Sequence, residues 1–171
     1  MALFYGQPCS LCGVKMTDDD RRFATSHFLG PESDLWRYSD AVMHWDCYAK
    51  WEHRPRFARM YFEANRQWSG QNPFWGVAHS DEQLLVTVKR KGVRKVDITL
   101  AVTGSGFEVR LRDWKDWLDG GWSEGCGHEI EREALAAVLP LLRSKFTTAE
   151  AVIAAAGMDM HAGSDCPDPT V

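Results

Sequence analysis

The sequence is poor in cysteine, and this scarcity limits how the fold can be held together. The 171 residues contain five cysteines, an odd number spread over the whole chain. A small secreted protein that relies on disulfides has an even and denser set of cysteines. We therefore predict no disulfide framework and expect a reducing compartment, the cytoplasm.

Long apolar segments and a strong charge of one sign are also missing. No stretch approaches the roughly 18 consecutive apolar residues that span a bilayer. Residues 1–6 are too short and lack the basic residues of a signal peptide. The formal net charge of −4 gives the chain as a whole no attraction to nucleic acid or to anionic lipid. We therefore expect no membrane association.

The motifs of several enzyme classes are absent as well. The sequence has no glycine-rich phosphate loop, no paired-carboxylate motif and no serine nucleophile elbow. Cys126 and His128 are a candidate nucleophile and base, but a base must lie within hydrogen-bond reach in space and not only in sequence. His27 is a candidate for the catalytic histidine of a nuclease, although its neighbours lack the residues that accompany one. An enzyme remains an alternative interpretation.

What the sequence does contain is two pairs of metal-ligand residues with the same internal spacing. Two residues separate Cys9 from Cys12, and after a gap of 31 residues His44 and Cys47 repeat this spacing. Such a pair can bind one ion from a tight turn or from the first turn of a helix. Gly13 suits the positive φ that a turn beside Cys12 requires, and backbone N–H groups near residues 13–15 are expected to offset the negative charge of the thiolates. Three thiolates and one imidazole leave no open position, so the spacing predicts a structural Zn²⁺ site.

These four residues, with the sequence MHWDCYAKW around the second pair, resemble the zinc finger of the poly(ADP-ribose) polymerase type, in the treble-clef group. The resemblance covers residues 9–51. It implies a treble-clef fold, and in that family the finger binds DNA breaks through a basic surface. Residues 1–70 contain nine Lys plus Arg and nine Asp plus Glu, so this basic surface is missing. The fold is therefore expected without that function.

The apolar pattern divides the chain into two units and a tail. Residues 1–70 are predicted to form a module that the structural Zn²⁺ stabilises, with helices from Asp40 to about residue 53 and over about 55–65. Small and polar residues at 69–73 indicate a linker before a domain over 73–157. Residues 158–171 are rich in Gly, Asp and Pro and are predicted to be disordered.

The second unit has the pattern of a sheet followed by helices. Alternating apolar and polar residues predict an antiparallel meander of three strands at 84–88, 96–102 and 107–111, with a fourth strand possible at 74–78. Helical spacing follows at 114–118 and 130–142, and a capping box at Thr147 begins a last helix. The fold class is therefore α+β.

One segment concentrates positive charge at the turn of the predicted hairpin. Five of its seven residues are basic: Lys89, Arg90, Lys91, Arg94 and Lys95. They either contact phosphate groups or form a solvated hairpin end that discourages edge pairing. Trp114 and Trp117, at helical spacing, are expected to pack in the core, with stacking on a base or ligand as the alternative.

Together these patterns predict a zinc-binding, non-enzymatic binding or adaptor protein whose partner is a protein. A nucleic-acid-binding protein that uses the basic hairpin is the first alternative. An enzyme with a site near Cys126 and His128 is the second. Cys126 and Cys166 remain outside the ligand set, and the sequence gives neither of them a role in the leading interpretation.

Overall fold

The computed structural model describes residues 6–89 and 95–158. The predictions for the hairpin tip (residues 90–94) and for the tail after residue 158 lie outside the described residues. The described elements, in chain order, are β1 (Arg22–Ala24), β2 (Val42–His44), α1 (Trp45–Lys50), α2 (Arg54–Gln71), β3 (Trp75–Ser80), β4 (Leu84–Lys89), β5 (Lys95–Leu100), β6 (Gly106–Arg110), α3 (Trp114–Asp119), α4 (Glu129–Lys145) and α5 (Ala149–Ala155).

The strands form two antiparallel sheets, one of two strands and one of four, which confirms the predicted α+β class. β1 pairs with β2, and the larger sheet is a meander in the order β3-β4-β5-β6. Trp75–Ser80 is therefore the fourth strand that the pattern allowed. None of the helices within the described ranges is both long enough and apolar enough to cross a bilayer.

The N-terminal region, residues 6–71, has short elements and a core rich in aromatic rings. Each strand of its sheet has only three residues, with Phe23 opposite Met43. Phe23 stacks on Tyr48 at a centroid distance of 3.8 Å and meets Trp45 edge-on at 5.4 Å. Because such short strands bury little surface, the rings supply much of the apolar packing here.

The predicted helix from Asp40 to residue 53 was wrong at its start. Asp40 has a left-handed backbone, with φ of 56°, and the helix α1 begins only at Trp45. Val42–His44 forms a strand instead, because its partner is β1. Asp tolerates the left-handed region, and the turn it makes redirects the chain into the strand. Pairing with a distant segment thus overrode the local helical pattern.

The second helix is longer than predicted. α2 runs through Ser69 and Gly70 to Gln71, so these residues are helical although their small and polar side chains are typical of a loop. Asn72 follows the helix, and its extended backbone (φ −90°, ψ 116°) is the conformation that a following proline favours. The first half of α2 packs in the N-terminal core through Phe57, and Phe62 packs on the larger sheet. The independent folding of residues 73–157 stays a prediction.

The larger sheet has one apolar face and one polar face. Val86, Val96 and Ile98 point to the first face, where α3, α4 and α5 complete a buried core. Trp114 of α3 is fully buried there, and its Nε1 donates a hydrogen bond to the carbonyl of Phe146 at 2.8 Å. Trp117 stacks on it at 5.5 Å. Trp114 therefore has the expected core position, and Trp117 is half-buried against that core.

The helices after the sheet follow their sequence signals closely. Thr148 caps α5 by accepting a hydrogen bond from Ala151 N, one residue later than the predicted capping box places the cap. Gly157 ends this helix with φ of 62°, as expected of a C-terminal glycine. Pro140 lies inside α4, which continues to Lys145.

Candidate metal centre

The first pair of candidate ligands lies in a tight turn. Pro8 and Lys15 form an isolated β-bridge, and between them Cys9 N donates to Val14 O while Gly13 N donates to Cys9 O, both at 2.8 Å. Gly13 has φ of 75°, which confirms the predicted positive φ. This backbone closes a loop that presents the sulfurs of Cys9 and Cys12 to the same side.

The second pair lies where a strand passes into a helix. His44 is the last residue of β2 and the residue before α1, and Cys47 lies in the first turn of that helix. Residues i and i+3 share a face at such a position. Ser10 N donates a hydrogen bond to Val42 O at 3.0 Å. This bond joins the turn of the first ligand pair to β2, and His44 at the end of β2 therefore lies beside that turn.

The structure brings the four side chains together. One ligand atom from each of Cys9, Cys12, His44 and Cys47 lies within 4.8 Å of all the others. His44 Nδ1 is 3.4 Å from Cys12 Sγ and 3.8 Å from Cys47 Sγ. A tetrahedral Zn²⁺, with sulfur at about 2.3 Å and nitrogen at about 2.0–2.1 Å, separates these atoms by about 3.6 Å. The donor set and its spacing therefore fit a metal ion.

The protonation of the thiols shows why a cation suits this cluster. Burial raises the pKa of Cys9, but N–H groups of Cys12, His44 and Leu11 directed at its sulfur outweigh burial and lower the pKa to about 7. Burial and the nearby sulfurs of Cys12 and Cys9 raise the pKa of Cys47 to about 12. Burial and the neighbouring sulfurs thus oppose the thiolate of Cys47, and a divalent cation removes this opposition.

The N–H groups near the sulfur differ from those that the sequence predicted. Residues 13–15 were expected to donate to the thiolates, yet Gly13 N bonds to the carbonyl of Cys9. His44 N is directed at Cys9 Sγ at 3.4 Å instead. This N–H donor belongs to the second ligand pair, because the two-stranded sheet places the backbone of His44 beside the first ligand pair.

Asp20 is a neighbour of the centre that sequence reasoning missed. Its Oδ2 lies 3.6 Å from Nε2 of His44, the ring nitrogen that does not face the sulfurs. The same oxygen accepts hydrogen bonds from Thr17 N and Thr17 Oγ1, which lower the pKa of this carboxyl group. A carboxylate beside the second nitrogen orients a ligating imidazole. The pattern Thr17-x-x-Asp20 signals only the local turn, and no local pattern brings Asp20 to His44.

The basic segment is only partly described. Lys89 ends β4 with an exposed side chain. Lys95 pairs with Glu108 on the neighbouring strand β6, so a carboxylate balances its charge. Arg90, Lys91 and Arg94 lie outside the described residues.

Cys126 and His128 are not arranged as a nucleophile and its base. His128 Nδ1 accepts a hydrogen bond from Ile130 N at 3.2 Å and caps α4, while its Nε2 lies 3.6 Å from Asp46 Oδ1. Burial, and secondarily Glu131, raises the pKa of Cys126, which disfavours its thiolate. His27 is exposed at the surface.

Comparison with known proteins leaves the site to be interpreted from its geometry. The chain matches no family model, no curated protein and no solved structure at a significant level. The firm result is therefore a cluster of three cysteines and one histidine that is positioned to hold a metal ion.

Proposed function

We propose that Cys9, Cys12, His44 and Cys47 bind one structural Zn²⁺ and that the protein is a non-enzymatic binding or adaptor protein. The observation that carries the first part is the mutual approach of the four ligand atoms within 4.8 Å. Thiolate-rich tetrahedral sites select zinc among the common divalent ions. Four protein ligands leave no position for water or substrate, so the ion stabilises the fold and catalyses no reaction.

The order of elements around the cluster supports a treble-clef finger. A turn with the first two ligands, a short antiparallel hairpin and a helix that begins beside the last two ligands follow one another. This order is similar to that implied by the resemblance to the poly(ADP-ribose) polymerase-type finger over residues 9–51. The DNA-binding function of that family is not part of the proposal, because positive and negative side chains balance in residues 1–70.

Large apolar side chains at the surface support a binding role with a protein partner. Trp36, Trp68 and Phe74 expose 49%, 52% and 56% of their surface. Tryptophan is one of the residues enriched among those that contribute most to binding at protein interfaces. No other cluster of potential metal ligands occurs in the described part of the chain, so metal-dependent catalysis elsewhere in that part has no support.

Metal analysis and Co²⁺ substitution test the zinc site. The protein purified without chelator is expected to contain one zinc per chain, and the Co²⁺ form is expected to show the absorption bands of a tetrahedral, thiolate-rich site. Cys12→Ser should weaken binding and change the spectrum, whereas Cys126→Ser, which removes a thiol outside the cluster, should leave both unchanged. A metal-free wild-type protein that does not take up Zn²⁺ would contradict the proposal.

A nucleic-acid-binding protein is the second candidate, favoured by the basic run at positions 89–95. The leading proposal predicts only non-specific affinity for DNA and RNA, weaker than roughly 10⁻⁶ M at physiological salt. Any such binding should disappear when Lys89, Arg90 and Lys91 are changed to Ser. Gel-shift titration against nicked, blunt and single-stranded DNA measures this. Sub-micromolar binding that survives the triple change would favour the finger as a nucleic-acid-binding surface.

A further inference from the structure

A cavity of about 390 Å³ lies between the N-terminal region and the polar face of the larger sheet. Its lining comes from β1, α1 and α2 on one side, and from β3, β4, β5, the turn before β6 and α4 on the other. Volumes above about 300 Å³ are typical of sites for small ligands or for a partner's side chain. The cavity is separate from the four sulfur and nitrogen ligands of the candidate metal centre, none of which lines it.

Aromatic rings form much of the wall. Trp45, Tyr61, Trp68 and Trp75 all line the cavity. The rings of Trp68 and Trp75 have centroids 6.0 Å apart and planes inclined at 59°, so they form two sides of a corner. The faces of tryptophan and tyrosine rings carry partial negative charge and attract cations within about 6 Å.

The floor contains a carboxylate with an unsatisfied oxygen. Asp97 lies in the middle of β5 between Thr87 and Glu108 on the adjacent strands, and it lines the cavity. Its Oδ2 is buried and has no hydrogen-bond partner among the described residues. A buried acceptor without a partner costs free energy, which a donor from a ligand would recover.

The charge around the cavity favours a cation over an anion. Two carboxyl groups, of Asp97 and Glu131, line it against one guanidinium, of Arg22. Arg22 donates from Nε to Asp20 O and from one terminal nitrogen to Thr17 O. The carboxylate of Glu131 already accepts a hydrogen bond from Gly127 N, next to the start of α4. Asp97 is therefore the acidic group that can serve a ligand.

We propose that this cavity binds an organic cation, a guanidinium or alkylammonium group, between the rings of Trp68 and Trp75 and the carboxylate of Asp97. The inference rests on the proposed binding function and specifies the chemistry that is bound. An anionic ligand such as a phosphate would meet two carboxyl groups. A metal ion would lack ligands, because Asp97 and Glu131 belong to no metal-ligand cluster among the described residues.

The proposal predicts a pH dependence of binding. Burial, and then the charge of Glu108, raises the pKa of Asp97 to about 6, while Lys95 and Lys89 act in the opposite direction. Arg22 and Glu131 are the other charged groups that line the cavity. A cation binds the ionised carboxylate, so affinity should rise as pH increases from 5 to 7 and level off above that range.

Calorimetric titration with Nα-acetyl-arginine amide and Nα-acetyl-lysine amide tests the proposal. Nα-acetyl-citrulline amide is the matched control, since it keeps the shape of arginine and lacks the charge. The cationic probes are expected to bind at least about ten-fold more tightly than citrulline at pH 7.5. Agmatine and a tripeptide with central arginine distinguish the source: tighter binding of the tripeptide indicates a side chain of a protein partner, and equal binding indicates a free small cation.

Two variants connect the binding to the cavity. Asp97→Asn keeps the shape of the side chain and should weaken cation binding at least about ten-fold and abolish its pH dependence. Trp68→Ala, at a half-exposed position, should also weaken it. Asp116→Asn and Val102→Ala, exposed positions outside the cavity, are the controls and should bind as wild type.

Equal binding of citrulline and arginine, no binding of any cationic probe, or unchanged binding by Asp97→Asn would each overturn the proposal. Zinc content is measured on the same samples. A protein that holds zinc and binds no cation refutes only this inference, whereas cation binding by a protein without zinc refutes only the proposed metal site.

Discussion

The N-terminal region and the sheet region, residues 75–158, differ in how their cores are stabilised. The N-terminal region has strands of three residues and a first helix of six. The sheet region has strands of five or six residues and a core made mainly of aliphatic side chains, covered by three helices. Elements too short to bury an adequate core need a further stabilising contact, and the ligand cluster lies where a metal would supply it.

The comparison also shows how the two regions are joined. α2 belongs to both, with Phe57 in the N-terminal core and Phe62 against Leu85 of the sheet. The fully buried Tyr48 donates a hydrogen bond to the carbonyl of Thr103 at 2.8 Å. The regions therefore differ in how each is stabilised, while a shared helix and a buried hydrogen bond connect them.

The largest effect is expected from Cys47→Ser. Zinc binding in isolated fingers contributes on the order of 10 kcal/mol to folding, so loss of one ligand should unfold the N-terminal region. Amide hydrogen exchange should show protection lost at β1, β2 and α1 and kept in β4 and β5. Equal loss of protection in both regions would show that the sheet region depends on the metal as well.

The corresponding change in the sheet region is Ile98→Ala, in the core of that region. Ile98 is fully buried, and its truncation should destabilise the protein by about 2–5 kcal/mol, measured by chemical denaturation. The metal content should stay at one zinc per chain. Val102→Ala, at a position that exposes 59% of its surface, is the control and should change stability by no more than about 0.5 kcal/mol.

Asp97→Asn is expected to stabilise the sheet region by an amount that depends on pH. The pKa of Asp97 is raised from 3.8 to about 6 on folding, so the native state favours the protonated form. The stability that this preference provides is complete below pH 3.8 and is lost as pH rises through 6. The free energy of unfolding of the variant relative to wild type should therefore increase between pH 4 and 6. Above pH 6 the difference should stay constant, at most about 3 kcal/mol. Denaturation at several pH values measures this, and a difference independent of pH would contradict it.

The smallest effect tests the contact between the regions. Tyr48→Phe keeps the ring in its stack and leaves the carbonyl of Thr103 without its donor. Burial raises the pKa of Tyr48 far above its usual value, so the hydroxyl is a donor at every ordinary pH. We expect a loss on the order of 1.5 kcal/mol in thermal or chemical unfolding. Tyr61→Phe, whose hydroxyl bonds to the exposed Ser26, is the control and should cost less.

The sequence predicted the features that depend on residues close together in the chain. The spacing within each ligand pair, the positive φ of Gly13 and the alternation along β4 to β6 are local patterns, and the structure agrees with each. The start of α1 was wrong because β1 draws Val42–His44 into a strand. Local propensity is a weak guide where a distant segment offers hydrogen bonds.

The sequence by itself thus determined the candidate ligand set and the order of strands and helices in the sheet region. Both depend on the spacing of thiols and of apolar residues that are close together in the chain. Tertiary structure alone placed Asp20 beside His44 and enclosed Asp97 between β1, α2 and the sheet. These residues are separated from their neighbours by tens of positions, and no local pattern records which of them will meet. Packing of the two cores decides that, and with it where a partner or ligand can bind.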